Sequence, residues 1–255
     1  MLVDSHCHLN FPELARDLDE VLARMSAAGV THALCVCVNL RDFQAVLDIA
    51  ACYPNIYASV GVHPDEPPGN EPDTDELIEL ARHPRVVAIG ETGLDYYRQT
   101  GDIEWQRARF RTHIRAARAC CKPLIIHTRA AAEDTLAIMQ EEGAAAAGGV
   151  MHCFTESLAV AQRAMELDFQ ISISGIVTFK NAVALRGVVE AVPLERLLIE
   201  TDSPYLAPVP LRGRSNEPAY VRYVADEIAR IKRVPFATVA QTTSANFFSL
   251  FQTPP

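Results

Sequence analysis

No apolar run in the 255 residues is long enough to span a bilayer, which takes about 20. The N-terminus also lacks the basic stretch and long apolar segment of a secretory leader. If the early His6 and His8 are functional, nothing ahead of them can be removed, so the chain is expected in the cytoplasm with no membrane association. Cysteine pairs are missing too. The seven cysteines are odd in number and none sits at a zinc-ribbon or redox spacing, which points to reduced, mostly buried thiols. Positive charge is in deficit: 23 Lys and Arg against 32 Asp and Glu give a net charge of −9. That argues against a protein that coats nucleic acid through a broad basic surface. It leaves room for a nuclease, because bound metal ions supply local positive charge. Finally, no linker or composition shift divides the chain, so one domain over residues 1–255 is expected.

What is present is a repeated alternation of apolar, β-branched runs with helical patterns. Strands are expected at Leu2 to His6, Ala33 to Val38, from Ile56, at Val86 to Gly90, and from Pro123, Gly149, Phe169 and Arg196. Helices are expected between them, the clearest running from about Ile103 to Cys120, with two more closing the chain. Eight strand–helix units in this length fit an α/β protein of the (β/α)8 TIM-barrel class. A doubly wound open sheet accommodates eight units less well.

The residues able to hold a metal fall at one kind of place. His6 and His8 end the first strand, and residues two apart on a strand project to the same face. His63 follows the third strand in GVHP, and Glu91 follows the fourth in GETGLD. His127 ends the fifth in IIHTR, His152 the sixth in VMHCF, and Asp202 the eighth in IETDSP. All lie at C-terminal strand ends, the face on which barrels of this class build their sites. A lone histidine there is ordinarily a core or surface residue. Five of the eight histidines converging with two isolated acids is another matter. His32 and His83 precede strands and His113 is mid-helix, so these three are expected on the other side or the outside.

Six donors exceed one tetrahedral site, so two divalent ions are expected. His6, His8, Asp202 and Glu91 would hold one, and Glu91, His127 and His152 the other, with Glu91 bridging. Imidazole with carboxylate suits Zn or Mn better than Mg. Two ions a few ångströms apart acidify a water and stabilise both oxygens of a displacement, so a hydrolase follows and its substrate does not. Asp202 is the candidate general base. Glu200 shares its face and reads as a buried polar contact. Gly90 and Gly93 around Glu91 suggest backbone passing close to the centre.

The strings DSHCHL, GVHP, GETGLDYY, IIHTR, HCF, SGIVTFKNA and ETDSPYLAP run from one end of the chain to the other, and together they resemble the TatD family of metal-dependent hydrolases, whose barrels are amidohydrolase-like. That resemblance implies a deoxyribonuclease, including 3′-end exonucleases, and maps the family's ligands onto His6, His8, Glu91, His127, His152 and Asp202. It departs at Ala130, where the family usually carries an acid after H-[ST]-R.

A phosphodiester needs cations or donors beyond the metals. Arg129 is the best placed, two residues from His127, and His63, Lys180 and Arg214 are further substrate-binding candidates, with Arg98 and Arg212 beside them. Tyr96, Tyr97 and Tyr205 could stack on bases, although packing at the barrel mouth is the more ordinary use. The expected partner is DNA, single-stranded or at 3′ ends, with no obligate protein partner. Two alternatives stand: a small-molecule amidohydrolase or esterase on the same centre, and a barrel that only binds. Glu91 in place of the carbamylated lysine of many amidohydrolases weighs against the former, and the intact donor set against the latter.

Overall fold

The computed structural model describes residues 1–69, 71–97 and 103–254. Its strands are β1 (Leu2–Cys7), β2 (Val30–Cys35), β3 (Ile56–Val60), β4 (Val86–Asp95), β5 (Leu124–Arg129), β6 (Gly149–Met151), β7 (Phe169–Ile173) and β8 (Leu197–Ile199). All neighbouring pairs are parallel, in the order β1 to β8. The ring closes just past β8: Asp202 N–H donates to His6 O at 2.9 Å, His8 N–H to Ser203 O at 2.8 Å, and Cys7 bridges Ser203. This is the expected TIM barrel.

The helices are α1 (Pro12–Ala15), α2 (Leu18–Ala27), α3 (Phe43–Cys52), α4 (Thr74–Ala81), α5 (Glu104–Cys120), α6 (Ala132–Glu141), α7 (Leu158–Glu166), α8 (Val183–Ala191), α9 (Val221–Lys232) and α10 (Phe236–Phe251). Among the described residues, no helix is long and apolar enough to cross a membrane.

Two apolar clusters hold the barrel. The larger lies between strands and helices and includes Ile89, Phe110, Ile114 and Ile126. The smaller joins residues near the strand starts (Val3, Leu34, Tyr57, Val87, Ile125, Val150 and Leu198) to Phe247 and Phe251 of α10. Burying each large side chain contributes roughly 1.5–3 kcal/mol, so α10 caps the end opposite the histidines with apolar contacts.

Three elements differ from the sequence reading. β2 begins at Val30 and ends at Cys35, three residues earlier than expected, which puts His32 inside it. β4 runs on through Asp95, so Glu91 lies within the strand. β8 ends at Ile199, so Asp202 stands three residues beyond it. The glycines flanking Glu91 do permit a close approach, but to β5. A Cβ on Gly93 would sit 2.0 Å from His127 O, and one on Gly90 2.6 Å from Ile125 O.

Candidate metal centre

β1, β4, β5 and the segments after β1, β6 and β8 deliver the six expected donors to one buried spot. His6 and His8 point the same way, with ring centroids 5.0 Å apart. Asp4 does not join them. The β1 register shifts between Asp4 and Cys7, and the Asp4 carboxylate accepts from Thr201 N at 2.8 Å and Thr201 Oγ1 at 2.5 Å. Asp202 has φ 57, a left-handed conformation that Asp tolerates better than most residues. Its Oδ1 lies 3.5 Å from His8 Nε2 and 3.7 Å from His6 Nε2.

Glu91 is the hub, and its two oxygens face different groups. Oε2 lies 3.2 Å from His6 Nε2. Oε1 lies 2.9 Å from His152 Nε2, 3.3 Å from His127 Nδ1 and 3.3 Å from His63 Nε2. A carboxylate with one oxygen toward each set has the disposition of a bridge.

The electrostatics keep both acids ionised. Burial alone would raise the Glu91 carboxyl, but the imidazoles of His152, His63 and His6 outweigh it and hold it well below its usual range. Asp202 is likewise lowered, burial being overcome by His8, His152 and His6. Burial opposes protonation of His152, yet Glu91 and Glu200 raise it well above normal. His8 is raised against burial by Asp202, and His127 by Asp95 and Glu91. His6 is lowered by burial and by His152.

The donor set fits divalent metal. His6 Nδ1 and Nε2 and His152 Nε2 are buried without hydrogen-bond partners. The close approaches of His6 and His152 to Glu91 are therefore contacts without hydrogen-bond geometry. An orphaned buried nitrogen is costly unless something takes its lone pair. Sets such as His6–His8–Glu91 and His6–His152–Asp202 have ligand atoms within 4.8 Å of one another.

Two carboxylates, Glu200 and the Asp95 that the sequence reading missed, hold the histidines from behind. His127 Nε2 donates to Asp95 Oδ2 at 3.0 Å, and His152 Nδ1 to Glu200 Oε1 at 3.2 Å. His8 Nδ1 donates to Val36 O at 3.1 Å. In each case the rear contact holds the proton of the neutral ring, the form a metal binds, and so turns its lone pair to the centre, the arrangement metal-binding histidines use. Glu200 is the buried polar contact expected, and its partners are His152 and Cys153. For Asp95 a signal existed: it lies four residues past Glu91 on one strand, hence on the same face.

Above the centre opens a cavity of about 810 Å³ lined by all the donors except His6 and by His63, Arg129, Tyr205 and Phe11 among others. Of the expected substrate contacts, the structure brings His63 and Arg129 to it. Lys180 and Arg214 are exposed and do not line it. Arg129 lies over the Tyr97 ring, 3.9 Å from its centroid, and Arg212 over Phe179 at 3.7 Å. Tyr205 is 53% exposed and Tyr97 65%, whereas the Tyr96 hydroxyl is tied to Asp134 and Arg107. Arg98 lies outside the described residues. His113 is a correction: it is fully buried and faces inward, accepting from Val62 N–H at 3.0 Å.

A family model described as TatD related DNase matches residues 3–252. The sequence is 48% identical over 254 residues to the uncharacterized metal-dependent hydrolase YcfH of Escherichia coli (strain K12), covering 98% of this chain and 95% of that protein. It is 35% identical over 256 residues to the 3′-5′ ssDNA/RNA exonuclease TatD of Escherichia fergusonii, covering 98% of each. Among solved structures, YJJV, a TatD homolog from Escherichia coli K12, superposes with a TM-score of 0.89 at 30% identity, covering 99% of this chain and 98% of that one.

Proposed function

The chain belongs to the family of TatD-related DNases, metal-dependent hydrolases, and from that premise we propose that it is a cytoplasmic 3′-5′ exodeoxyribonuclease, one barrel domain cleaving DNA phosphodiesters at a centre of two divalent ions, Zn, Mn or Mg. The observation that carries this reading is the divided hub: Glu91 turns one oxygen to His6 and the other to His127 and His152. His6, His8, Asp202 and Glu91 would hold one ion, and Glu91, His127 and His152 the other. Such a pair acidifies water and offsets the charge of a phosphodiester in displacement.

The chain's own groups supply the rest. Asp202, ionised and only partly exposed at the cavity floor, accepts the proton of the attacking water. Glu91 keeps the two donor sets in register. Arg129 at the rim meets a phosphate oxygen, its guanidinium lying over the Tyr97 ring. The exposed faces of Tyr205 and Tyr97 offer stacking surfaces for bases, tolerant of sequence. The name of the Escherichia fergusonii relative supports polarity and substrate. The cytoplasm is supported by seven cysteines that are all free thiols.

One observation favours the small-molecule alternative. Histidines aside, Arg129 is the sole cation lining the cavity among the described residues. The deciding experiment strips the metal and restores Mn, Zn or Mg. It then compares 3′- and 5′-labelled oligonucleotides with a simple phosphodiester and a carboxylic ester, with Asp202→Asn as contamination control. Metal-dependent laddering from the 3′ end, absent in the variant, is expected. Ester turnover without DNA cleavage would replace the nuclease reading with the small-molecule one.

A further inference from the structure

His63 is close enough to the centre to be taken for a third ligand of one ion. His63, Glu91 and His127 offer donor atoms within 4.8 Å of one another. Its hydrogen bonding says otherwise. Asp65 N–H donates to His63 Nδ1 at 3.0 Å, so that lone pair is engaged and the ring proton sits on Nε2. Nε2 is the atom facing the centre, 3.3 Å from Glu91 Oε1. At His8, His127 and His152 the rear nitrogen meets an acceptor, which in the neutral ring turns the lone pair inward. At His63 the rear nitrogen meets a donor, so an N–H faces inward. An N–H cannot ligate a cation.

The loop that sets this polarity is fixed from two sides. His63 N–H donates to Val38 O at 2.8 Å. From α5, one buried face carries Gln106, Arg109 and His113 at i, i+3 and i+7. Gln106 Nε2 donates to Pro64 O at 3.0 Å, and His113 Nε2 accepts from Val62 N–H at 3.0 Å. Arg109, only 4% exposed, donates to His63 O and Glu66 O at 2.8 Å each, while Glu71 holds it by two contacts of 2.6 Å. These bonds tie down residues 62, 63, 64 and 66, and with them the Asp65 N–H that engages Nδ1.

We propose that His63 is a fixed hydrogen-bond donor, its Nε2–H aimed at an anionic oxygen of the scissile phosphate, and that it is not a metal ligand. This rests on the phosphodiester reading and names one of its working groups. An imidazole N–H serving as donor beside a charged centre is a known way to stabilise developing oxyanion charge. Placed on the His127 side of Glu91, it would supply positive potential where the cavity has few cations.

The test uses the full chain, His63→Ala and His63→Gln. After dialysis all three should retain two ions per chain. On an oligonucleotide and on bis(p-nitrophenyl) phosphate, His63→Ala should lower kcat by on the order of 100-fold with KM little changed, as for loss of one oxyanion donor. His63→Gln, whose amide N–H can take the Nε2–H position, should recover part of that. In metal-free protein labelled with 15N-histidine, His63 should carry its proton on Nε2. Loss of an ion in His63→Ala, a proton on Nδ1, or full activity in His63→Ala would each overturn the proposal. Wild-type protein that cleaves neither phosphodiester would overturn the reading beneath it, and with it the acceptor named here, whatever the ring's tautomer.

Discussion

Asp95→Asn exchanges one oxygen for an NH₂ group and should cost an ion. Asp95 is 1% exposed and both its oxygens accept: Oδ2 from His127 Nε2 at 3.0 Å and Oδ1 from Tyr97 N–H at 2.9 Å. Asparagine has one acceptor and one donor. If its NH₂ faces His127, the ring must take its proton on Nδ1, the atom that faces Glu91, and no lone pair is left for metal. If its NH₂ faces Tyr97, two N–H groups oppose each other in a buried place, at about 1–3 kcal/mol. Losing a partner of this kind typically weakens metal binding 10–100-fold, about 1.4–2.8 kcal/mol. The assay is ion content after dialysis against a graded chelator. The variant should release one of two ions at chelator strengths the wild type withstands. Retention of both ions with wild-type affinity would refute the claim that Asp95 sets the His127 tautomer.

Further outcomes follow from the same geometry. Glu200 Oε1 accepts from both His152 Nδ1 and Cys153 N, which one amide oxygen could still do. Glu200→Gln should therefore keep more metal than Glu200→Ala, and equal loss in the two would count against the positioning role. Gly93→Ala places a Cβ 2.0 Å from His127 O at φ 132, whereas Gly29→Ala at φ 79 meets nothing within 4 Å. Chemical denaturation should show the first costing well over the roughly 1–2 kcal/mol of left-handed strain expected for the second, and similar costs would contradict the close approach of β4 to β5. His113 is pushed down to about 4 by burial, against an unfolded value of about 6.5. The folded form therefore resists protonation, and the stability His113 confers above pH 6.5 is lost as pH falls through 4, about 3 kcal/mol in all. Stability curves of wild type and His113→Gln should converge across that window; parallel curves would show that His113 does not titrate there.

The repeat of strand and helix was legible because apolar periodicity reports burial directly, and the strand-end histidines could be read once the repeat was in hand. Boundaries were not. β2 carries half-buried Thr31 and His32 near its start, and the buried apolar run continues past its end through Val36 and Cys37, so alternation does not mark its ends. β4 was cut short because Gly90, Glu91 and Gly93 are poor strand formers. The chain nonetheless pairs Thr92 to Asp95 with Ile126 to Arg129, glycine allowing the backbones to meet. The rear partners of the histidines depend on contacts between distant segments, such as Glu200 with His152, and no local pattern announces those. The buried polar face of α5 was open to view in its i, i+3, i+7 spacing, yet a charged face is ordinarily solvent-facing. Only the loop it grips reveals why Arg109 and His113 turn inward.

The central claim, a two-ion phosphodiesterase, is tested most directly by titrating metal-free protein with Mn while following cleavage of a 3′-labelled oligonucleotide. Activity should stay near background through the first equivalent and rise with the second, and His127→Ala, folded but short of one ion, should never rise. Full activity at one equivalent, or full activity in His127→Ala, would contradict it.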